Sequence, residues 1–319
     1  MLTSSGYSTI EDISKWDGEL LIPRRLTIET IFGCNAKCRM CIIDHPTTRK
    51  KCIMSPDRFH NIVDEFADFK EHIEMVDLFG LGESLLDPHI FERLSYVKEK
   101  GFRNLAISTN ADLLEKEKQH ALLETGIDTV LFSIDGIKKQ THENIRRGVT
   151  YERVVENVQS IIEMRDAGNY ETRFAIRFIK QPDNLAEWPD YKSFWQSRIS
   201  PQRRDFIMVY DMHCWAGQIA AKDDILADRC RDDTIECKPC HHVFNIMTVL
   251  ADGSVPLCSE DELCPQHDFG NAFELSPLEV YNSEKFRAFR RLHVEGTKNL
   301  IEPCKECTVL YSEAARASS

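Results

Sequence analysis

Between Cys52 and Cys214 the sequence has no cysteine, although the 319-residue chain holds twelve. Four lie before that gap and eight from Cys214 onward. Nor is there a secretory signature: residues 1–12 lack the charged and apolar regions of a signal peptide. The expected location is therefore cytoplasmic, where so many thiols point to metal or catalysis rather than disulfides. No apolar run approaches the ~20 residues needed to span a bilayer. There is no basic run either, and the formal net charge is −12, which argues against nucleic acid or an anionic membrane as partner. What is present is 42% hydrophobic content, enough for one large domain and a smaller one.

Apolar periodicity alternates along the cysteine-free stretch and just before it. Strands are expected at 26–31, 75–79, 104–107, 129–132, 173–179 and 205–210. Helices are expected between them, the first opened by Ser55-Pro56 and carrying Phe59, Ile62, Val63 and Phe66 on one face. Others follow at 88–100, 113–125, 151–164 and 183–196. Six strands alternating with helices predict an α/β fold, a parallel sheet with covering helices that is too short for a closed eight-stranded barrel. Chemistry in such sheets collects at the C-terminal strand ends.

The first strand runs into Cys34-Asn35-Ala36-Lys37-Cys38-Arg39-Met40-Cys41. An iron–sulfur cube normally takes four thiolates, so three from one tight loop leave an iron open. A zinc site is the alternative, with His45 as a fourth ligand. The intervals of three and two residues resemble those of radical S-adenosylmethionine enzymes. That resemblance implies a 4Fe-4S cluster on Cys34, Cys38 and Cys41 whose open iron binds S-adenosylmethionine. One electron then cleaves the sulfonium to a 5′-deoxyadenosyl radical. It also implies a partial (β/α)6 TIM-like barrel over 25–229, after an extension at 1–24.

Further segments resemble the family's cofactor contacts, and each follows an expected strand. Gly80, Gly82 and Glu83 match its glycine-rich stretch ending in Glu, where backbone comes close to a ligand and acceptors meet an ammonium group. Ser133, and more weakly Asn110, are the expected contacts for ribose or carboxylate. In Ile145-Arg146-Arg147-Gly148, Arg147 is favoured over Arg146 as the clamp on the methionine carboxylate because it directly precedes Gly148. The sixth strand ends in Asp211-Met212-His213-Cys214-Trp215, where Asp211, His213 and Cys214 are candidate substrate contacts.

Composition changes after Cys230. Asp252-Gly253 between two apolar runs predicts a hairpin turn, Cys240 and Cys258 flank it, and Cys304-Lys305-Glu306-Cys307 follows an amphipathic helix near 277–292. A zinc ribbon is the alternative. The layout resembles the twitch form of the SPASM domain, a β-hairpin plus helix, here at 230–319. The resemblance implies a second, auxiliary 4Fe-4S cluster on Cys240, Cys258, Cys304 and Cys307, with Cys237 able to replace Cys240. Four thiolates would saturate it, making it an electron carrier.

In layout the chain is similar to family members that dehydrogenate or epimerise aminocyclitols. The implied activity is oxidation or epimerisation of a carbohydrate or aminocyclitol carbon, with flavodoxin or ferredoxin as electron donor. Epimerisation needs a hydrogen donor, for which Cys214 and Cys264 are candidates. A peptide substrate is the enzyme alternative, and a zinc-stabilised binding protein the non-enzyme one.

Overall fold

The computed structural model describes residues 21–212, 214–216, 218, 238–263, 267–305, 307 and 309. Seven parallel strands form the main sheet: β1 (Arg25–Ile28), β2 (Met75–Asp77), β3 (Leu105–Thr109), β4 (Thr129–Ser133), β5 (Arg173–Lys180), β6 (Phe206–Asp211) and β7 (Ile246–Val249). Their order is β6-β5-β4-β3-β2-β1-β7. The first six are the expected six, paired in sequence order in an open partial barrel. Apolar side chains run along both faces, as parallel sheets covered by helices require. All five residues of β3 are buried.

The covering helices are α1 (Pro56–Ala67), α2 (Ile90–Glu99), α3 (Lys116–Glu124), α4 (Lys139–Ile145), α5 (Tyr151–Gly168) and α6 (Trp188–Gln196). Phe59, Ile62, Val63 and Phe66 form the buried face of α1, as their spacing predicts. Helix α5 ends at Asn169, which takes the left-handed conformation (φ 54°) that commonly stops a helix. No helix among the described residues is long and apolar enough to cross a membrane.

The C-terminal segment departs from expectation twice. Ile246–Val249, expected as one arm of a hairpin, is instead the seventh strand of the main sheet, with Arg25 opposite Ile246 and Ile28 opposite Val249. All four of its residues are buried, which suits a strand packed on both faces. The turn itself is present: Gly253 (φ +84°) donates its N–H to the Leu250 carbonyl at 2.8 Å. Ser254 then bridges Asn271 antiparallel. The single helix expected over 277–292 is two, α8 (Pro277–Tyr281) and α9 (Glu284–Val294), after a short α7 (His242–Asn245). Ser283 breaks the run, because its side chain accepts from the Phe286 N–H and starts a new helix.

Candidate active site

The N-terminal cysteine loop is clamped on two sides. On one, Gly33 bridges Gly82 in parallel and accepts the Glu83 N–H at 2.9 Å. On the other, Lys37–Cys38 pairs antiparallel with Arg146–Arg147. Next to that pair, Gly148 (φ +93°) lies so near Asn35 that a Cβ would stand 2.8 Å from its carbonyl oxygen. The Cys34 Sγ accepts from the Ala36 N–H at 3.3 Å, and the Cys38 Sγ accepts from Arg146 at 3.7 Å.

Burial pushes the Cys34 thiol up to about 12; the Ala36 amide opposes this, and Glu83, Cys38 and Cys41 add to it. Burial likewise pushes Cys41 up to about 11, with Cys38 contributing. Thiols that hinder one another's ionisation share a small space, and they become thiolates only against a cationic group. Among the described residues no three Cys, His, Asp or Glu side chains converge on a point that a single metal ion could occupy. A zinc ion needs that convergence, at about 2.3 Å per sulfur. A cube takes each thiolate on a different iron, which three neighbouring thiols on one loop can supply.

The expected cofactor contacts fall around the loop, mostly bonded to one another. A Cβ on Gly80 would meet the Glu29 side chain at 2.8 Å, and one on Gly82 would meet the Ile31 carbonyl oxygen at 2.4 Å. Both glycines thus allow protein to pack on protein. The buried Glu83 carboxylate accepts from Thr109 Oγ1 at 2.6 Å, the Asn110 N–H at 2.8 Å and the Leu85 N–H at 3.2 Å. Burial raises its pKa, against the pull of those bonds. Asn110 donates to the Asn35 side chain at 2.8 Å, inside the cysteine loop. Ser133 is buried and accepts from Arg177.

Arg147 is exposed, whereas Arg146 is buried. Arg146 forms an ion pair with the fully buried Asp135 at 2.7 Å and is the residue that reaches Cys38. Arg177, on β5, stands near enough to feel Arg146: burial and then that guanidinium lower its pKa. Both guanidiniums stand near the Asp135 carboxylate, and the Nε atoms of both arginines lack a hydrogen-bond partner. This corner suits an anionic ligand group. Arg146 was legible only as the less favoured of two neighbours, Asp135 stood in the Ser133-Ile134-Asp135-Gly136 segment whose expected contact was Ser133, and Arg177 carried no motif that marked a role.

The second thiol set also assembles. Burial raises Cys258 well above the ordinary thiol range, and Cys304, Cys307 and Cys240 add to that, as does Asp261. Burial and then Cys240 do the same to Cys307, where Cys214 contributes too. So Cys214, buried past the end of β6, neighbours this set. The turn after it spans both sets: Trp215 Nε1 donates to the Met40 carbonyl at 2.8 Å, and Gln218 to the Glu260 carbonyl at 3.0 Å. Asp211 is half-buried at the end of β6. His213, Cys237 and Cys264 lie outside the described residues.

Residues 28–168 match the family model of the radical SAM superfamily, and residues 240–308 match that of an iron–sulfur cluster-binding domain, SPASM. A tungsten-containing aldehyde ferredoxin oxidoreductase cofactor-modifying protein from Pyrococcus furiosus is 25% identical, over 89% of this chain and 87% of its own length. A probable GTP 3′,8-cyclase from Methanococcus maripaludis is 30% identical over 41% of this chain, which spans only 43% of that relative. Among solved structures, BtrN in complex with AdoMet and 2-DOIA aligns with TM-score 0.60 and 16% identity, covering 90% of this chain and 93% of its own. Streptococcus suis SuiB bound to precursor peptide SuiA aligns with TM-score 0.63 and 17% identity, covering 95% and 72%. These two likenesses are of fold.

Proposed function

Because this chain belongs to the radical S-adenosylmethionine superfamily and carries a SPASM iron–sulfur domain, we propose that it oxidises a carbon of a small hydroxylated substrate, a carbohydrate or aminocyclitol, by hydrogen-atom removal. S-adenosylmethionine bound with the N-terminal cluster would supply the hydrogen-abstracting chemistry, and a flavodoxin or ferredoxin the electron it needs. Cys34, Cys38 and Cys41 hold that cluster. Arg146 and Arg177 receive the methionine carboxylate at their positive corner, and Ser133 keeps Arg177 oriented.

The observation that carries the oxidative outcome is the assembly of Cys240, Cys258, Cys304 and Cys307 within electrostatic reach of one another. A four-thiolate site leaves no iron open for substrate, so its use is to take an electron. Net oxidation of an alcohol carbon removes two hydrogens: one as an atom, the other as a proton and an electron. In this reading Asp211 takes the proton, and a cluster held by the four thiolates would supply the electron acceptor. Were Cys214 to return a hydrogen atom instead, the same substrate would be epimerised.

A second reading rests on the near full-length match to the Pyrococcus furiosus cofactor-modifying protein: the substrate would then be a precursor of an organic cofactor. The test is anaerobic incubation with S-adenosylmethionine, reductant and sugars, aminocyclitols, pterins or peptides in deuterated water. Loss of two hydrogens from a sugar or aminocyclitol supports the proposal. Deuterium in a product of unchanged oxidation level means epimerisation, and turnover of only a pterin or peptide moves the assignment there. No consumption of S-adenosylmethionine under any reductant overturns it.

A further inference from the structure

Helix α9 buries Phe286, Arg290 and His293 on one face. Arg290 locks that face to the rest of the C-terminal segment, its Nε donating to the Val243 carbonyl at 3.0 Å and its Nη1 to the Tyr281 carbonyl at 2.7 Å. The Phe244 ring stands edge-on to the His293 ring, at 90°. His293 is thereby held between two of the four C-terminal thiol residues. Its Nδ1 accepts the Cys240 N–H at 3.3 Å, and its Nε2 lies 3.6 Å from the Cys304 Sγ.

The proton on that ring is assigned by its neighbours. A backbone amide can only donate, so Nδ1 must present a lone pair. A neutral imidazole with a bare Nδ1 carries its proton on Nε2, which faces the sulfur. A doubly protonated ring would set an Nδ1–H against the Cys240 N–H. Turning the ring over about its χ2 bond would set carbon atoms against both partners. The contact to Cys304 is therefore an Nε2–H···Sγ hydrogen bond.

We propose that His293 is a positioning residue of the C-terminal cluster, which ties down charge on the Cys304 thiolate and raises that cluster's reduction potential. Hydrogen bonds to cluster sulfurs stabilise the more negative, reduced form. An electron acceptor in a dehydrogenation gains driving force in the same direction. The inference rests on the reading that Cys240, Cys258, Cys304 and Cys307 ligate the cluster.

The test uses the full chain, reconstituted anaerobically, with potentials of both clusters read by electron paramagnetic resonance during redox titration. His293→Phe keeps a ring and removes the donor; the C-terminal cluster's potential should fall while the N-terminal cluster's stays where it was. His293→Gln, whose amide can both donate and accept, should recover most of the fall. An unchanged potential in His293→Phe at full iron content overturns the proposal. Should that variant lose its C-terminal cluster, the wild-type protein decides. Electron–nuclear double resonance of its reduced C-terminal cluster should show an exchangeable proton coupled to an imidazole nitrogen, and the lack of one overturns the proposal. The ligand reading fails separately, if Cys304→Ala retains all its iron.

Discussion

Arg146 and Arg147 are neighbours in sequence and opposites in environment, because a strand sends successive side chains to opposite faces. Arg146 is paired with Asp135 inside the protein, and Arg147 points to solvent. Removing one partner of a buried pair leaves the other charge uncompensated, at a cost of about 3–5 kcal/mol. Arg146→Ala should lose that much in urea unfolding and weaken S-adenosylmethionine binding. Arg147→Ala should stay within about 0.5 kcal/mol of the parent and bind normally. His142 offers a second test. Its Nδ1 accepts the Asp135 N–H at 3.3 Å, and burial and then Arg146 pull its pKa from 6.5 down to about 3. Below pH 6.5 the unfolded chain takes a proton that the folded one refuses, so stability falls as pH falls. The slope is about 1.4 kcal/mol per unit, continuing toward pH 3. In His142→Asn, whose side-chain oxygen can still accept from Asp135, this part of the slope should vanish between pH 6 and 4, as measured by urea unfolding against the parent.

At the level of elements, the glycines show what could and could not be read from residues alone. Strand positions, the six-unit repeat and both thiol sets were legible, because apolar spacing and cysteine intervals are local in sequence. What a glycine faces is not. Gly82 was expected to admit a ligand, yet its missing Cβ makes room for the Ile31 carbonyl and so seats the loop that begins at Gly33. Gly82→Ala sets carbon against backbone, which cannot swing away. Its Cys34 loop should move off the strand ends, and reconstituted iron should drop from about eight to about four per chain, with the C-terminal cluster retained. Iron analysis with electron paramagnetic resonance checks it. Glu83 has the same lesson: its position was visible, but its three donors come from a neighbouring strand end and its own turn. The break at Ser283 was missed because an apolar face can continue across two helices in line. Ser283→Ala should cost about 1 kcal/mol.

Across the whole molecule, the two thiol sets are far apart in sequence and joined by shared structure. The boundary drawn at 229–230 lies outside the described residues, but β7 lies beyond it and pairs with β1. One continuous apolar core includes Leu26 and Val76 from the main sheet with Val249, Tyr281 and Phe286 from the C-terminal part. Charge crosses the same seam. The buried Glu29 pairs with Arg49 and accepts the Ala251 N–H at 2.9 Å, while Arg49 reaches Asp252 at 3.3 Å and the Glu262 carbonyl at 2.9 Å. Burial raises the Glu29 pKa, which Arg49 and the Ala251 and Leu81 amides oppose. A chain cut after residue 240 would strip β1 of one of its two parallel neighbours and Glu29 of the Ala251 amide. It would also bare an edge of unpaired backbone groups. Such a fragment should aggregate rather than fold as a free barrel. The full chain, by the same reasoning, should unfold in urea with fluorescence and far-ultraviolet circular dichroism tracing one coincident transition. A soluble fragment with native circular dichroism, or two separated transitions, would show that the seam carries little of the stability assigned to it here.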